Sequence, residues 1–481
     1  MFVNRERELD ALETRYASDQ AEMFVLYGRR RVGKTELLRT FCQDKRHVFF
    51  VADLGSEATQ LAAFSRVIGR QLVSPTADIA FPSWDATFDF LAEAARTERL
   101  VVVVDEFSYL AQTKPAFPSI LQRLWDTQLQ ATRLMLILCG SYVGLMERDV
   151  LAYRAPLYGR RTGQWLLTPL TFAQIGPFLP TYALADRLPA YAILGGTPAY
   201  LAQFDPRRSL ADNILATILS PQGYLYDEAR FLLLQEVRDP RSYFAVLEAL
   251  AMGCTRPNEI AQKAGLGTGA AAMPALKTLI GLRLVERRVP ATERQPHKSR
   301  QGLYHISDPY FRFWFRFVHP HRSALEEGRA PAVLDQFIRP QLDLFTGPIF
   351  EAICREHVWQ MDLPFTPQRV GGWWDRRTEI DVVAVNDTEQ ALLVGECKWS
   401  TKPVGTNILD DLKGKLPRLL PRGDWQQITY ALFSRSGFTP ALQARAETES
   451  VRLVELESLG QSAQANGGMQ AGASRCASRQ G

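Results

Sequence analysis

Cysteine is sparse and scattered. Six cysteines (Cys42, Cys139, Cys254, Cys354, Cys397 and Cys476) occur in 481 residues, no two of them in a C-x-x-C pair. This spacing offers neither a zinc site nor a disulfide framework and suits a reducing compartment. Long apolar runs are also missing. No stretch reaches the roughly 18 uninterrupted apolar residues of a membrane span. The opening residues, Met-Phe-Val-Asn-Arg-Glu-Arg-Glu, are charged where a signal peptide would be apolar. The expectation is a cytoplasmic protein with no membrane partner. Charge of one sign is not in large excess either. A net +4 permits nucleic-acid binding without requiring it. No repeat of solenoid period occurs. The remaining composition, 46% apolar and 22% charged, is that of an ordinary globular protein. The length suggests about three domains at ~150 residues each.

One motif dominates what is present. Gly28-Arg29-Arg30-Arg31-Val32-Gly33-Lys34-Thr35 is a complete G-x-x-x-x-G-K-[ST] phosphate loop. Its glycines let backbone amides approach phosphate oxygens. Lys34 would reach the β- and γ-phosphates, and the Thr35 hydroxyl would hold Mg²⁺. An apolar strand-type run, residues 23–27, precedes the loop. A helix start follows it, with its positive dipole end toward the phosphates. The bound ligand expected is ATP with Mg²⁺. Residues 100–104 form a second apolar run ending in Asp105-Glu106. Asp105 would hold Mg²⁺ through water, and Glu106 would polarise the attacking water. Ser141, at the end of the run 136–139, either senses the γ-phosphate or closes a strand-end turn. Arg160 and Arg161 follow the last expected sheet strand. Either one would serve as an arginine finger, in cis or from a neighbouring subunit, or else form a surface ion pair.

Residues 1–170 alternate continuous apolar runs with helical stretches, which predicts an α/β core on a parallel sheet. Residues 171–238 read as a helical lid broken at Gly195-Gly196-Thr197-Pro198. Residues 239–306 read as a winged helix-turn-helix: three helices, the second opened by Pro257, then two wing strands at 284–289 and 302–306. Arg287, Arg288, Arg294, Lys298 and Arg300 on the wing would contact DNA phosphates. The third helix, at 269–282, is poor in base-reading side chains, so any DNA contact would be mostly non-specific. Residues 307–345 form an aromatic connector, and residues 346–457 a separate α/β domain. The Gly-, Ala-, Gln- and Ser-rich tail 458–481 is expected to be disordered.

The domain at 346–457 carries a second constellation. Glu351 lies on a helix, Asp381 near the start of an apolar strand, and Glu396 and Lys398 two apart on the next strand. Strand alternation puts Glu396 and Lys398 on one face. A turn at Asn386-Asp387 would bring Asp381 and Glu396 together. Two carboxylates beside a lysine suit Mg²⁺ or Mn²⁺ and metal-activated water. This is the Asp-x(n)-Glu-x-Lys pattern of PD-(D/E)XK nucleases. Glu351 would be a further metal ligand, or else pair with Arg355. Trp373-Trp374 read as irregular.

Taken together, Phe2-Val3-Asn4-Arg5-Glu6-Arg7-Glu8-Leu9, the loop 28–35, Asp105-Glu106, Gly140-Ser141, Leu157-Tyr158-Gly159-Arg160-Arg161 and Gly195-Gly196-Thr197-Pro198 resemble the archaeal-type ATPases of the STAND branch of AAA+-like P-loop NTPases. The resemblance covers nearly all of residues 1–340. It implies that Asn4 and Arg5 lie near the adenine and that Pro198 packs on the base. It also implies a switch in which ATP closes the lid and winged helix on the core. The run 308–315 and the domain after it resemble the C-terminal module often fused to these ATPases, which is similar to a restriction-endonuclease-like fold. Carried across, Glu351, Asp381, Glu396 and Lys398 match its motif positions. The sequence therefore predicts an ATP-hydrolysing switch controlling a metal-dependent nuclease domain that acts on DNA, with a nucleotide-dependent homo-oligomer as one arrangement. The alternative is a STAND-type signalling or transcriptional regulator with a non-cutting C-terminal binding domain.

Overall fold

A computed structural model describes residues 2–237 and 239–460. Most of the expected tail, residues 461–481, lies outside the described residues, and its first positions close the short helix Leu456–Leu459. The N-terminal sheet contains β1 (Glu22–Tyr27), β2 (His47–Val51), β3 (Leu100–Asp105), β4 (Leu134–Gly140) and β5 (Gly163–Leu166). Their order is β2-β3-β4-β1-β5, and every pairing is parallel. The reason is visible along β3. Leu100, Val102 and Val104 enter one apolar core, while Val101 and Val103 enter another on the opposite face. Such a strand can be buried only between two layers of helices. Strand β5 corrects the expectation that the sheet ends before Arg160. It is four residues long, half-exposed and at the sheet edge.

Between 172 and 236 the regular structure is all helical. Among these helices, Leu184–Leu194 ends at Gly195-Gly196, and Glu228–Glu236 closes the segment. Gly196 fits because nothing larger can. A Cβ there would lie 1.7 Å from the carbonyl oxygen of Leu170, whose amide donates to the Gly196 carbonyl at 2.8 Å. Next come helices Arg241–Ala251, Pro257–Lys263 and Gly269–Gly281. An antiparallel ribbon follows, made of β6 (Val285–Arg288) and β7 (Leu303–Ile306). The Asp308 carboxylate then caps a helix by accepting from the Phe311 amide at 2.8 Å. Tyr310, Phe311, Phe313, Trp314 and Phe315 are completely buried. The Trp314 indole donates to the Tyr226 carbonyl at 2.6 Å, and Arg312 lies 4.0 Å over the Phe345 ring.

The second sheet contains β8 (Arg369–Trp374), β9 (Glu379–Asn386), β10 (Ala391–Lys398), β11 (Gln427–Ser434) and β12 (Arg452–Glu455). Strands β8, β9 and β10 run antiparallel in sequence, and β10, β11 and β12 are parallel. Trp373-Trp374, expected to be irregular, end β8 beyond a register shift at Gly371/Trp373. Helix Leu342–Val358 covers one face, and Thr406–Leu419 covers the other. One apolar core runs from Leu170 through the helices between 172 and 281, the ribbon and the aromatic segment to Leu459. Among the described residues, no helix is long and apolar enough to cross a membrane.

Candidate functional site

The phosphate loop leaves the carboxyl end of β1. Gly33 takes a left-handed backbone, φ 96°, immediately before helix Lys34–Cys42, and glycine takes this conformation without strain. The Gly28 amide donates to the Gly140 carbonyl at 3.3 Å. The buried Lys34 ammonium turns back into the loop and donates to the carbonyls of Gly28 and Arg29, each at 2.9 Å. Burial lowers its proton affinity. Thr35 Oγ1 donates to Asp105 Oδ2 at 2.7 Å, tying the helix after the loop to the end of β3. A hydroxyl and a carboxylate so placed are the hard oxygen ligands that Mg²⁺ takes beside phosphate and water, so these residues fit a Mg²⁺-bound triphosphate. Asp105 Oδ1 accepts from the Glu106 amide at 2.9 Å. Glu106 itself has a left-handed backbone, φ 53°, a strained setting of the kind that clusters at functional sites. The Ser141 hydroxyl donates to Glu106 Oε1 at 2.5 Å, so Ser141 positions the carboxylate.

Arg5 braces the loop. Its guanidinium donates to the carbonyls of Val32 (3.1 Å) and Thr168 (2.9 Å). Asn4, also left-handed, donates to the Gln174 carbonyl at 2.5 Å. Pro198 opens helix Pro198–Leu201. The three loop arginines each meet an acid from beyond the first sheet. Arg29 pairs with the buried Asp308 and stacks on Phe311. Arg30 approaches Glu236 at 3.4 Å and donates to the Tyr109 hydroxyl at 2.5 Å. Arg31 pairs with Glu228 at 2.7 Å and lies over the Tyr224 ring. Burial raises the Glu228 carboxyl to about 7. The sequence gives no hint of these acid partners, because each lies far along the chain with no periodic relation to the loop.

The arginine-finger expectation for Arg160 needs correction within its own chain. Thr162 donates its amide to Met23, at the start of β1, and β5 runs parallel to β1. Arg160 therefore lies at the end of the sheet opposite the phosphate loop, where it pairs with Asp126 at 2.9 Å.

The second constellation is only partly assembled as expected. Asp381 Oδ2 accepts from the Cys397 amide at 2.8 Å, beside Glu396. Burial first, then the Glu396 and Glu351 charges, push the Asp381 carboxyl up to about 7. Glu396 is buried between two ammonium groups. Lys398 meets Oε1 at 2.8 Å, and Lys415 of helix Thr406–Leu419 meets Oε2 at 2.7 Å. Among the described residues, no three His, Cys, Asp or Glu side chains gather closely enough to hold a metal. Glu351, expected as a metal ligand, instead approaches Arg355 at 3.5 Å. Arg355 in turn donates to the Asp381 carbonyl at 2.7 Å. Lys415 has no counterpart in the sequence reading, since a lysine on an amphipathic helix resembles any solvated one.

The β6–β7 ribbon is also occupied. Arg287 donates to the Pro296 carbonyl at 2.9 Å, Arg288 pairs with Glu286 and Arg294 with Asp387. Beyond β6 the chain docks on the edge of the second sheet. The Ala291 amide donates to Gly372 at 2.9 Å, and Arg369 donates to the Ala291 carbonyl at 3.0 Å.

A five-stranded parallel sheet, a phosphate loop with Lys34 and Thr35, and Asp105 hydrogen-bonded to Thr35 define a P-loop ATPase domain. Comparison with known proteins agrees. The family described as an ATPase domain predominantly from Archaea matches residues 2–204, and archaeal and bacterial proteins of unknown function match residues 314–408. An uncharacterized protein of Methanocaldococcus jannaschii is 34% identical over 404 residues, covering 83% of this chain and 88% of that one. An uncharacterized ATP-binding protein of the same organism is 50% identical over 46 residues, 10% of this chain and 78% of that one. The chain belongs to this archaeal-type ATPase family. Among solved structures, a Walker-type ATPase of Pyrococcus abyssi aligns with TM-score 0.49 and 21% identity over 66% of this chain and 96% of that one.

Proposed function

We propose that the chain is an ATP-hydrolysing switch whose nucleotide state acts on a metal-dependent phosphodiesterase site in the C-terminal domain, with DNA as substrate. Asn4, Arg5 and Pro198 would frame the adenine. Lys34, Thr35 and Asp105 would hold the Mg²⁺-bound phosphates. Glu106 would orient the attacking water. Residues 239–306 are read as a winged helix acting as an internal lid, and residues 346–457 as a PD-(D/E)XK-like fold with Asp381, Glu396 and Lys398 as its motif. The observation that carries the reading is the path between the two sites. Asp308 grips Arg29 of the phosphate loop and stands two residues beyond β7. The ribbon's other strand leads to Ala291, hydrogen-bonded to β8.

The test is cutting of supercoiled and linear DNA with Mg²⁺ or Mn²⁺, with and without ATP. Asp381→Ala and Lys398→Ala are expected to abolish cutting, and Lys34→Ala to remove its dependence on ATP. Cutting that persists in Asp381→Ala rejects the site assignment. A second reading, a regulator with a non-cutting domain, is favoured by the two lysines already neutralising Glu396. Absence of cutting in every metal, together with one protected footprint, would select it.

A further inference from the structure

Hydrolysis at a phosphate loop needs a cation beside the terminal phosphate as charge develops there. Lys34 is one, and Arg160 of the same chain is at the wrong end of the sheet. Arg29 is committed to the buried Asp308 and the Phe311 ring. Arg31 is turned onto Glu228 and Tyr224. Arg30 differs from both. It lines a small cavity together with Ser141, whose hydroxyl holds Glu106, so it stands on the side of the loop that carries Glu106. Tyr109, which accepts from it at 2.5 Å, stands three residues after Glu106 on the adjoining helix. Its ion pair is loose. Nε is 3.4 Å from Glu236 Oε1, and the buried Oε2 has no hydrogen-bond partner among the described residues. A cavity of 30 Å³ lined by Arg29, Arg30, Ser141 and Glu236 adjoins the pair. A carboxylate that satisfies half of its own capacity is easily displaced by phosphate oxygens, which an arginine fork can meet with two bonds.

We infer that Arg30 contacts the terminal phosphate of ATP and that Glu236 holds this arginine when only a diphosphate is bound. The inference rests on the ATP-switch reading and adds the residue that distinguishes the two nucleotides. It also gives the distinction a mechanical outlet. Glu236 is the last residue of helix Glu228–Glu236, whose first residue is fixed to Arg31. Transfer of Arg30 to phosphate unfastens one end of that helix and leaves the other held.

The experiment measures binding of Mg²⁺-ATPγS and Mg²⁺-ADP, and ATP turnover, by the full chain. The variants are Glu236→Gln, Arg30→Gln and the double mutant. Glu236→Gln is expected to tighten ATPγS by about fivefold or more and to leave ADP unchanged within twofold. Arg30→Gln should slow turnover by roughly 10²-fold and erase the preference for ATPγS. Glu236→Gln should then have no further effect in the Arg30→Gln background. Equal tightening of both nucleotides, or a Glu236→Gln effect that survives without Arg30, overturns the inference. Failure of the folded wild-type chain to bind either nucleotide overturns the ATP reading itself, a different result. Thermal melts of each variant verify folding, and Arg30→Lys, which keeps the charge and loses the fork, should fall between wild type and Arg30→Gln.

Discussion

Asp381 is a carboxylic acid kept half-protonated near neutrality, its proton affinity raised to about 7 by burial, then by Glu396 and Glu351. A carboxyl whose folded pKa exceeds its unfolded value binds more protons in the native state, so ionisation opposes folding. The penalty is absent below about pH 4 and complete above about pH 7. Asp381→Asn is therefore expected to raise stability at pH 8 by on the order of 2 kcal/mol and to change it little at pH 4, measured by urea unfolding at both. An equal effect at both pH values would contradict the assigned environment. At this scale the sequence was readable where a residue type has few uses. Lys34, Thr35 and Asp105 sit in a motif that constrains each of them. Glu236, Glu228 and Asp308 were not readable, because an acid paired to an arginine some 200 or more residues away leaves no mark on its neighbours in sequence.

The elements divide along the same line. Strands β1, β3 and β4 are continuous apolar runs because both faces are covered, and burial of this kind is legible. Strand β5 is short, contains Gln164 and lies on the edge. Strand β8 contains Gly371-Gly372, residues that weaken a strand pattern. Both are held by their neighbours more than by their own composition. The turn at Gly195-Gly196 was recognised as a break, but its cause is tertiary. A methyl group at Gly196 meets the Leu170 backbone, which cannot swing aside as a side chain would. Gly196→Ala is expected to cost about 3 kcal/mol or more, seen as a lower urea midpoint. A cost below about 0.5 kcal/mol would mean that the backbone at Leu170 yields freely.

Across the whole molecule, the helices between 172 and 281, the ribbon and the second sheet share one core. Nucleotide effects should therefore travel further than the ATPase domain. Hydrogen exchange of the 369–374 amides is expected to change when Mg²⁺-ATP is added to wild type and to stay constant in Lys34→Ala. Arg369→Gln, which loses the bonds to Ala291 and Asp387, should bind ATP as wild type does yet lose the response at 369–374. Unchanged exchange in wild type would mean that the ribbon is a static brace. The N-terminal and C-terminal sheets follow the alternation of apolar runs with helical stretches along the sequence. Their joining was not legible there, since it depends on which carbonyl the Ala291 amide meets.

That single amide has one more effect. Strand β8 borders its sheet, and the chain beyond β6 lies against it as a cover. If a conformational cycle lifts the cover, the outer backbone of β8 loses its mask and becomes a template onto which an extended segment of a second molecule can zip. Self-association that grows with each turnover, and fades when the cover is tethered, would be the outward sign.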